Sequence, residues 1–419
     1  MDRYVVRPGA PLRGTVRVSG MTKNAGLKQM AAALLAPGVT VIHNVTRVDD
    51  LATMMELLGS IGAETSWVGD ETLSIDVPEQ LVAEAPYELV SRMRASINVL
   101  GPLLARNGSA RVAMPGGDNI GSRKLDMHFD ALAAMGAELE VVHGFIDARC
   151  NALCGARVVL EFPSVGATET VLTAAVLAKG QTVIENAARE PEVRDLAAFL
   201  AKMGARVEGA GTSTIEIDGV DELSPVEHAI IGDRIEAGTL LFAAVATGGD
   251  VTVEGIELEP LEIVIRKLTE MGAEVEPTPE GLRARRGEPL VAADVQTLPF
   301  PGFATDFMPL AVATLATAHG TAIVTENIFD NRFAFIDELH RMGADVRTEG
   351  RHAIVRGVDC LSGAPVRAHD VRAGAALVLA GLVAEGETVV LDPHHVERGY
   401  PDLPGKLRAL GADVERVEA

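Results

Sequence analysis

Positively charged side chains occur at regular places in this chain, directly before or close to strongly apolar, alanine-rich segments. Lys23, Arg94, Arg234 and Arg372 stand where such segments begin, and Arg398 lies in a late loop. The first turn of a helix has unpaired amides and a partial positive charge, so a cation there opposes the helix dipole. An anionic partner is therefore expected, and arginine suits carboxylate or phosphate. The pattern predicts a site for a small phosphorylated carboxylic acid.

A few acidic and polar residues stand at the same positions and could move protons. Ser164, Asp233 and Asp306 each precede an apolar segment, and taken alone each is best interpreted as a helix N-cap. Asp118 lies at the tip of a loop with three glycines, which favour close approach to a ligand or a lid motion. It is a candidate general acid if closure excludes water, and otherwise a turn aspartate. His128 is in isolation a structural hydrogen-bonding residue.

Several common chemistries are excluded by what the sequence lacks. It contains no P-loop, no GxGxxG after a strand and no serine elbow. Cys150, Cys154 and Cys360 include no paired CxxC spacing, so we expect neither a metal site nor a cofactor, and free thiols suit a reducing cytosol. The net charge of −22 argues against nucleic acid or an acidic membrane as a partner.

The elements that must position these residues repeat six times. An amphipathic helix, a Gly-Ala pair and an alternating strand recur about every seventy residues, as in the segment Asp195–Glu208. The glycines of these six Gly-Ala pairs are called the tag glycines, and they are Gly62, Gly136, Gly204, Gly272, Gly343 and Gly411. Each is expected to be the left-handed residue that ends its helix.

A second series of segments is apolar on every face and ends at Gly38, Gly108, Gly180, Gly248, Gly320 and Gly386. Helices of this kind must be buried all round, and at about ten to twelve residues they are too short to cross a bilayer. Each repeat therefore predicts one interior helix, one exterior helix and short strands, which makes an α/β protein with three repeats in each of two domains. The opening strands, Tyr4 to Ser19, have no repeat of their own and are expected to pair with the second half.

The residues quoted above also occur in longer motifs. These are Lys23-Asn24, Arg94-Ala-Ser96, Pro115-Gly-Gly117, Ser164-Val-Gly166, Glu185-Asn-Ala-Ala-Arg-Glu-Pro-Glu192, Asp233-Arg-Ile-Glu236, Phe303-Ala-Thr-Asp306 and Arg398-Gly-Tyr400. Together they resemble the enolpyruvyl transferase family along nearly the whole chain. The resemblance implies two inside-out α/β barrel domains of three repeats each. It places the first domain at residues 22–231, with a mobile loop at 112–124, and the second at 1–21 and 232–419.

The resemblance also implies an activity: transfer of the enolpyruvyl group of phosphoenolpyruvate to the 3-hydroxyl of UDP-N-acetylglucosamine, with release of phosphate through a tetrahedral ketal. This reaction begins peptidoglycan synthesis and so serves cell wall, cell shape and cell division in the cytoplasm. Lys23, Arg123 and Arg398 would hold phosphoenolpyruvate, supported by Arg94 and Arg372, and Asp306 would accept the hydroxyl proton. The residues implied to contact the sugar nucleotide are Asn24, Arg94, Arg123, Lys124, Leu125, Asp126, Met127, His128, Ser164, Val165, Gly166, Asp306 and Ile328.

Departures from the family pattern leave alternatives open. Most members carry a cysteine where this chain has Asp118, which predicts resistance to the epoxide antibiotic that alkylates that cysteine. One inserted residue before Lys23 leaves Lys28 as a second candidate for the lysine role, and Lys124 and Met308 differ from common family residues. The alternatives are a paralogue acting on another uridine nucleotide and an inactive sugar-nucleotide-binding homologue.

Overall fold

The computed structural model describes residues 2–117, 120–121 and 124–418. In this part of the chain the helices are α1 (Leu27–Ala33), α2 (Asp49–Ile61), α3 (Tyr87–Val90), α4 (Leu100–Asn107), α5 (Asp126–Ala134), α6 (Val165–Ala175), α7 (Pro191–Lys202), α8 (Arg234–Thr247), α9 (Glu262–Glu270), α10 (Met308–Leu315), α11 (Ile336–Arg341), α12 (Val371–Val383), α13 (His394–Glu397) and α14 (Leu403–Ala409).

The strands are β1 (Arg3–Arg7), β2 (Arg13–Arg17), β3 (Gly38–His43), β4 (Glu64–Trp67), β5 (Thr72–Val77), β6 (Glu84–Ala85), β7 (Ser109–Ala113), β8 (Glu138–Val142), β9 (Phe145–Arg149), β10 (Arg157–Val159), β11 (Gln181–Glu185), β12 (Arg206–Glu208), β13 (Thr214–Asp218), β14 (Glu227–Ala229), β15 (Asp250–Glu254), β16 (Glu274–Thr278), β17 (Gly281–Arg285), β18 (Val295–Gln296), β19 (Thr321–Thr325), β20 (Asp345–Glu349), β21 (His352–Arg356), β22 (Leu361–Ser362), β23 (Pro365–Arg367), β24 (Ala384–Glu385), β25 (Thr388–Leu391) and β26 (Asp413–Val417).

Contacts between residues divide the chain into two compact units. The first unit contains residues 2–19, 120–121 and 232–418, and the second contains residues 20–117 and 124–231. The first unit has three four-stranded sheets, in the orders β23-β25-β1-β26, β16-β17-β15-β2 and β18-β19-β21-β20. The second has three as well, in the orders β10-β11-β13-β12, β14-β3-β5-β4 and β6-β7-β9-β8. Each sheet of this kind therefore corresponds to one of the six repeats.

The third repeat shows how the pattern produces a sheet. Strand β10 runs parallel to β11, with the interior helix α6 between them in sequence. The exterior helix α7 then leads into β12, and β13 returns antiparallel to both β11 and β12. Parallel strands need a crossover connection, which the interior helix supplies.

The opening strands complete sheets of the first unit, as the sequence predicts. Strand β1 pairs antiparallel with β25 and β26, and β2 pairs parallel with β15. In its sheet, β2 lies parallel to β15 in the position that β10 has beside β11. In the second unit the matching position beside β3 is filled by β14, which runs parallel to it although it comes much later in the chain.

The predicted helix stops are confirmed for the six tag glycines. All six, and all six glycines of the second series, have positive φ angles between 67° and 109°. That conformation costs other residues energy because their Cβ crowds the backbone, so glycine is suited to the end of a helix. In the second series only Gly108 and Gly248 cap a helix, and the other four glycines lie beyond the helix end, in the connection to the next strand or at its start.

Interior helices form the core of each unit. In α8 every residue from Arg234 to Ala246 is buried, and all eight residues of α10 are buried. Helix α10 packs against α12 and α8, and α4 packs against α6. Full burial of each leucine or phenylalanine here contributes about 1.5–3 kcal/mol.

The predicted length of ten to twelve residues is wrong for several interior helices. Helix α1 has seven residues, α10 has eight and α8 has fourteen. The short ones follow irregular turns, namely a π-helical turn over Thr22–Gly26 and 3-10 turns over Arg94–Val99 and Thr305–Phe307. These turns contain the polar residues that precede the apolar runs, so the regular helix begins later than the apolar pattern suggests.

Candidate active site

In the first unit, the N-terminal ends of three interior helices meet around Asp306. This residue lies in the 3-10 turn that leads into α10, and Arg372 is the second residue of α12. Arg372 Nη2 is 3.5 Å from Asp306 Oδ2, and Arg332 Nη2 donates to Asp306 Oδ1 at 2.9 Å. Asp306 also lies in the electrostatic field of Arg234, the first residue of α8. The structure therefore brings α8, α10 and α12 together at their N-terminal ends.

The interpretation of Asp306 as a helix cap is wrong. Its turn has no side-chain cap, and the carboxylate faces two arginines instead. Burial alone would raise the pKa of Asp306, but the guanidinium groups of Arg372 and Arg332 outweigh it and hold the pKa well below its ordinary value. The carboxylate is consequently ionised, and its side chain keeps an exposed fraction of 27% through which a ligand can reach it.

Arg372 is almost fully buried, with an exposed side-chain fraction of 3%. Burial disfavours its charge, but Tyr400, Asp306 and Asp233 more than compensate and raise the pKa of the guanidinium. Its Cζ lies 5.0 Å above the centre of the Tyr400 ring, and the Tyr400 hydroxyl is 2.8 Å from Thr239 Oγ1. Arg372 is therefore a fixed positive charge beside Asp306.

Asp233 and Asp370 cap two of these helices. The Asp233 carboxylate accepts from the amides of Ile235 and Glu236, which confirms its predicted role. Asp370 does the same for Arg372 and Ala373. Burial raises the pKa of Asp233 to about 6, although the charge of Arg372 and the two amides act in the opposite direction.

Arg398 follows α13 and is half-buried. The helix is attached to two strands through its last residue, Glu397. Glu397 Oε1 accepts from the Tyr4 hydroxyl on β1 at 3.1 Å and from Arg416 Nε on β26 at 2.7 Å. The sheet thereby fixes the position at which Arg398 leaves the helix.

Ile328 lies in the loop after β19, where the buried carboxylate of Glu326 organises the backbone. Glu326 Oε1 accepts from the amides of Ile328 and Phe329 at 2.7 and 3.0 Å. Its other oxygen accepts from Thr305 Oγ1 at 2.7 Å, one residue before Asp306. The loop that carries Ile328 and the turn that carries Asp306 are joined through this one side chain.

In the second unit, both lysine candidates are paired with buried carboxylates. Lys23 Nζ is 2.6 Å from Asp50 Oδ2, and Lys28 Nζ is 2.7 Å from Glu169 Oε2. The side chain of Glu169 is 2% exposed and belongs to the interior helix α6. Asn24 is half-buried in the same turn as Lys23.

His128 connects α5 with the first turns of α6. Its Nδ1 is 2.9 Å from Thr170 Oγ1. A Cβ at Gly166 would lie 3.1 Å from His128 Cε1, so only glycine leaves room for the ring at that position without a shift. Burial, followed by the charge of Arg94, lowers the pKa of His128 to about 4, and the ring is neutral at pH 7. Ser164 caps α6 by accepting from the amide of Ala167, as predicted.

The remaining candidates of this unit lie at the start of α5 and α6. Lys124 and Asp126 are exposed, Leu125 is buried, and Met127 and Val165 are half-buried. Asp126 Oδ1 accepts from the amide of Met127. Asp118 and Arg123, the candidate general acid and one of the candidate phosphoenolpyruvate ligands, lie outside the described residues.

Sequence reasoning did not assign several residues of these clusters. Glu326 and Asp370 in the first unit, and Asp50 and Glu169 in the second, have no role predicted from the sequence. Arg332 is expected only as a guanidinium in a loop after a strand, suited to a carboxylate or phosphate. Glu169 carries a usable signal, because a carboxylate inside a run of buried residues requires a partner. Asp370 also carries one, since it directly precedes an apolar helix. The contacts of Glu326 and Arg332 depend on the fold and leave no local pattern.

The described ranges contain neither a metal-binding cluster nor a membrane-spanning helix. No group of three or more histidine, cysteine, aspartate or glutamate side chains there is arranged to hold a metal ion. Cys150, Cys154 and Cys360 are free thiols. None of the helices in the described part of the chain has the length and apolar character needed to cross a membrane.

Comparison with known proteins places this geometry in a family. The family model described as EPSP synthase (3-phosphoshikimate 1-carboxyvinyltransferase) matches residues 6–407. A protein of Corynebacterium jeikeium named UDP-N-acetylglucosamine 1-carboxyvinyltransferase is 51% identical over 417 residues, covering 100% of this chain and 99% of the relative. A protein of the same name from Mycolicibacterium paratuberculosis is 50% identical, with 100% of both chains covered.

Solved structures agree with this assignment. The enolpyruvyl transferase NikO from Streptomyces tendae has a TM-score of 0.89 at 27% identity and covers 100% of this chain and 99% of its own. An EPSP synthase from Acinetobacter baumannii has a TM-score of 0.73 at 20% identity over 100% of both chains, which shows a shared fold. This chain therefore belongs to the enolpyruvyl transferase family, among relatives named UDP-N-acetylglucosamine 1-carboxyvinyltransferase.

Proposed function

We propose that this enzyme transfers the enolpyruvyl group of phosphoenolpyruvate to the 3-hydroxyl of UDP-N-acetylglucosamine and releases phosphate. The observation that carries the proposal is an ionised carboxylate, Asp306, held between Arg332 and Arg372 in a chain about half identical, end to end, to carboxyvinyltransferases of that name. A protein that only bound the nucleotide would need no such proton acceptor.

In the first step, the sugar oxygen bonds to C2 of phosphoenolpyruvate while its proton passes to Asp306. The methylene carbon accepts a proton from a general acid, for which Asp118 is the candidate, and a tetrahedral ketal results. The bond from C2 to the phosphate oxygen then breaks, the new methyl group returns a proton to the conjugate base of the general acid, and phosphate leaves with the proton that Asp306 had accepted. Atoms and charge balance without a metal or redox cofactor.

The charge around Asp306 limits how it acts. A carboxylate whose pKa is held low is a weak base and does not form an alkoxide in advance. The proton therefore moves as the carbon–oxygen bond forms. Substrate carboxylate and phosphate groups near Arg372 and Arg398 compete for the guanidinium charge, which raises the basicity of Asp306 once both substrates are bound.

The other roles form part of the same proposal. Lys23, Arg123 and Arg398 hold phosphoenolpyruvate, and Arg94 and Arg372 stabilise its charges and those of the leaving phosphate. Both lysines pair with a buried carboxylate, but Lys23 fits this role better, because its side chain is more exposed and it contacts one oxygen of Asp50, whereas Lys28 contacts both oxygens of Glu169. The sugar nucleotide contacts the residues that the family resemblance implies for it in the sequence analysis. The turns at residues 164–166 and at Ile328 contact it through their backbone groups.

We propose also that each unit is an inside-out α/β barrel, with interior helices enclosed by three sheets. Domain boundaries are proposed at residues 21/22 and 231/232, with a mobile loop at 112–124. The pathway is peptidoglycan synthesis in the cytoplasm.

The test measures phosphate release and product mass with phosphoenolpyruvate and UDP-N-acetylglucosamine. Other uridine nucleotides and 3-phosphoshikimate are assayed beside it, because the family includes enzymes for different acceptors. We expect kcat/KM for UDP-N-acetylglucosamine to exceed the others by at least about a hundredfold. A higher value with another uridine nucleotide would favour the paralogue, and absence of turnover would favour the inactive homologue.

A variant links this activity to the site. Asp306→Asn is expected to lower kcat about 10²- to 10⁴-fold, because the amide cannot accept the hydroxyl proton, while nucleotide binding persists. Calorimetric titration with UDP-N-acetylglucosamine checks the binding. Unaltered turnover would remove the proposed role of Asp306.

A further inference from the structure

Glu326 lies directly after β19 and is buried, with an exposed fraction of 1%. Its carboxylate accepts four hydrogen bonds from four different groups. Oε1 accepts from Thr297 Oγ1 at 3.0 Å and from the amides of Ile328 and Phe329 at 2.7 and 3.0 Å. Oε2 accepts from Thr305 Oγ1 at 2.7 Å. All four donors are neutral, so charge pairing with lysine or arginine does not account for these contacts.

The bond from Thr305 determines how a neighbouring arginine is held. A threonine hydroxyl has one hydrogen and two lone pairs, and the hydrogen of Thr305 is committed to Glu326. The lone pairs are therefore free to accept from Arg332 Nη1, which is 2.9 Å away. The same guanidinium donates from Nη2 to Asp306 at 2.9 Å. Arg332 Nε has no hydrogen-bond partner among the residues described, so Thr305 and Asp306 together set the orientation of the guanidinium group.

The other oxygen of Glu326 holds the backbone of the loop that follows. The amides of Ile328 and Phe329 both point at Oε1, and the amide of Asn327 donates to Thr297 Oγ1 at 2.8 Å. Three successive amides are thus satisfied by Glu326 and its partner Thr297. A short loop held in this way keeps the Ile328 backbone at a fixed distance from Thr305.

We infer that Glu326 is a positioning residue that acts through Thr305 and Arg332 on Asp306, and through its second oxygen on the Ile328 backbone. The inference rests on the proposed function, in which Asp306 accepts the hydroxyl proton and Ile328 contacts the sugar nucleotide. The buried carboxylate of Glu326 thereby aligns the proton acceptor, Asp306, with the sugar nucleotide that carries the hydroxyl.

Glutamine cannot replace glutamate in this role. Four donors point at the two oxygens, and an amide offers only one oxygen as acceptor. Facing Thr305, the amide nitrogen would donate to Oγ1, which already accepts from Arg332. The hydroxyl oxygen has two lone pairs and could accept from both, but its hydrogen would lose its acceptor and turn elsewhere. That rotation moves the lone pair used by Arg332 and disturbs the alignment of Arg332 with Asp306.

The experiment compares Thr305→Val, Thr305→Ser and Thr297→Val in the full-length enzyme, with melting temperatures recorded for each. Thr297→Val is the matched control, because it removes another buried hydroxyl donor of Glu326 but leaves the contact between Thr305 and Arg332 unchanged. We expect Thr305→Val to lower kcat about tenfold or more, with KM for phosphoenolpyruvate changed less than about twofold. Thr305→Ser keeps the hydroxyl and should retain nearly full kcat. Thr297→Val also releases the Asn327 amide, so it should raise KM for the sugar nucleotide while kcat stays close to that of the natural enzyme.

A double-mutant cycle tests whether Glu326 acts through Thr305. Glu326→Gln should lower kcat and also raise KM for the sugar nucleotide, since the Ile328 amide is disturbed. In Glu326→Gln/Thr305→Val the fall in kcat should be clearly smaller than the product of the two single effects. Multiplicative effects would show that the two residues act independently and would overturn the inference.

Other results distinguish this inference from the proposed function. If Asp306→Asn is inactive while Thr305→Val and Thr297→Val have the same kcat, the proposed function stands and the positioning role is wrong. If Asp306→Asn keeps full turnover, the proposed role of Asp306 itself fails. Should Glu326→Gln not fold, the comparison of valine with serine at position 305 decides the question alone.

Discussion

The Lys28 ammonium group contacts both oxygens of Glu169, at 2.7 Å to Oε2 and 3.0 Å to Oε1. Glu169 belongs to the interior helix α6, and its side chain is 2% exposed. Burial raises the pKa of this carboxyl, while the charge and hydrogen bond of Lys28 act against that rise. Lys28 therefore compensates a buried charge in the core of the second unit.

We predict that Lys28→Met destabilises the protein by about 3 kcal/mol at pH 8, because it leaves the Glu169 carboxylate buried without its lysine. The loss should be smaller at pH 5.5, where Glu169 takes up a proton more readily. Urea unfolding at both pH values measures this. Adding Glu169→Gln should recover most of the loss. The control is Lys267→Met, whose partially exposed pair with Glu270 should cost less than about 1 kcal/mol. Equal losses at both lysines would contradict the prediction.

His128 should make the folded protein less stable in acid. Its folded pKa of about 4 lies below the ordinary value of 6.5, so the unfolded chain binds a proton that the folded chain does not across this interval. Stability is therefore complete above pH 6.5 and falls as the pH drops, by about 3 kcal/mol at pH 4. The midpoint is measurable by NMR titration of the imidazole Cε1 proton. In a His128→Gln variant the free energy of unfolding should no longer fall in this pH interval on account of residue 128. A titration midpoint near 6.5 in the natural protein would refute the prediction.

The sequence allowed the repeat architecture to be predicted because its signals are local. A glycine in the left-handed conformation is favoured wherever a helix ends in that turn, and each of the six tag glycines has a positive φ. Burial of α8 and α10 likewise follows from residues that are apolar on every side. The pairing of β1 and β2 with strands of the second half can be expected because these two strands have no repeat of their own.

The site could be predicted only in part, because its partners meet through the fold. The sequence shows cations at helix N-termini, where they oppose the helix dipole. The carboxylates that compensate two of them, Asp50 for Lys23 and Asp306 for Arg372, are brought there by long-range contacts. Taken alone, the position of Asp306 before α10 predicts a cap. The contact with Arg332, some twenty-six residues later, overrides that local preference.

Arg398→Ala should chiefly weaken phosphoenolpyruvate binding. The guanidinium can hold a carboxylate or phosphate with two parallel hydrogen bonds, and its loss should raise KM for phosphoenolpyruvate about tenfold or more while UDP-N-acetylglucosamine affinity is retained. Steady-state kinetics with each substrate varied in turn separates the two. Arg367→Ala removes a surface arginine paired with Asp392 and serves as the control. An unchanged KM for phosphoenolpyruvate would count against the role of Arg398.

Asp118 predicts a distinctive response to epoxides. A carboxylate is a far weaker nucleophile toward an epoxide than the thiolate that most family members present at this position. We expect intact-mass measurement to show no adduct after treatment with the epoxide antibiotic at low concentration, and turnover to be unaffected. Asp118→Cys should acquire both labelling and inhibition. Covalent labelling of the natural protein under these conditions would disprove the predicted resistance.

Asp233 should make the stability of the folded protein change with pH in the direction opposite to that of His128. Its folded pKa of about 6 exceeds the ordinary value of 3.8, so the folded chain holds a proton there more tightly than the unfolded chain. Stability is fully present below pH 3.8 and is lost as the pH rises through 6, by about 3 kcal/mol in total. Asp233→Asn keeps a good N-cap for α8 but removes the buried charge. The variant should therefore be more stable than the natural protein at pH 8 and nearly equal to it at pH 4, as measured by urea unfolding. A variant less stable at pH 8 would mean that attraction between Asp233 and Arg372 outweighs the cost of burying the carboxylate.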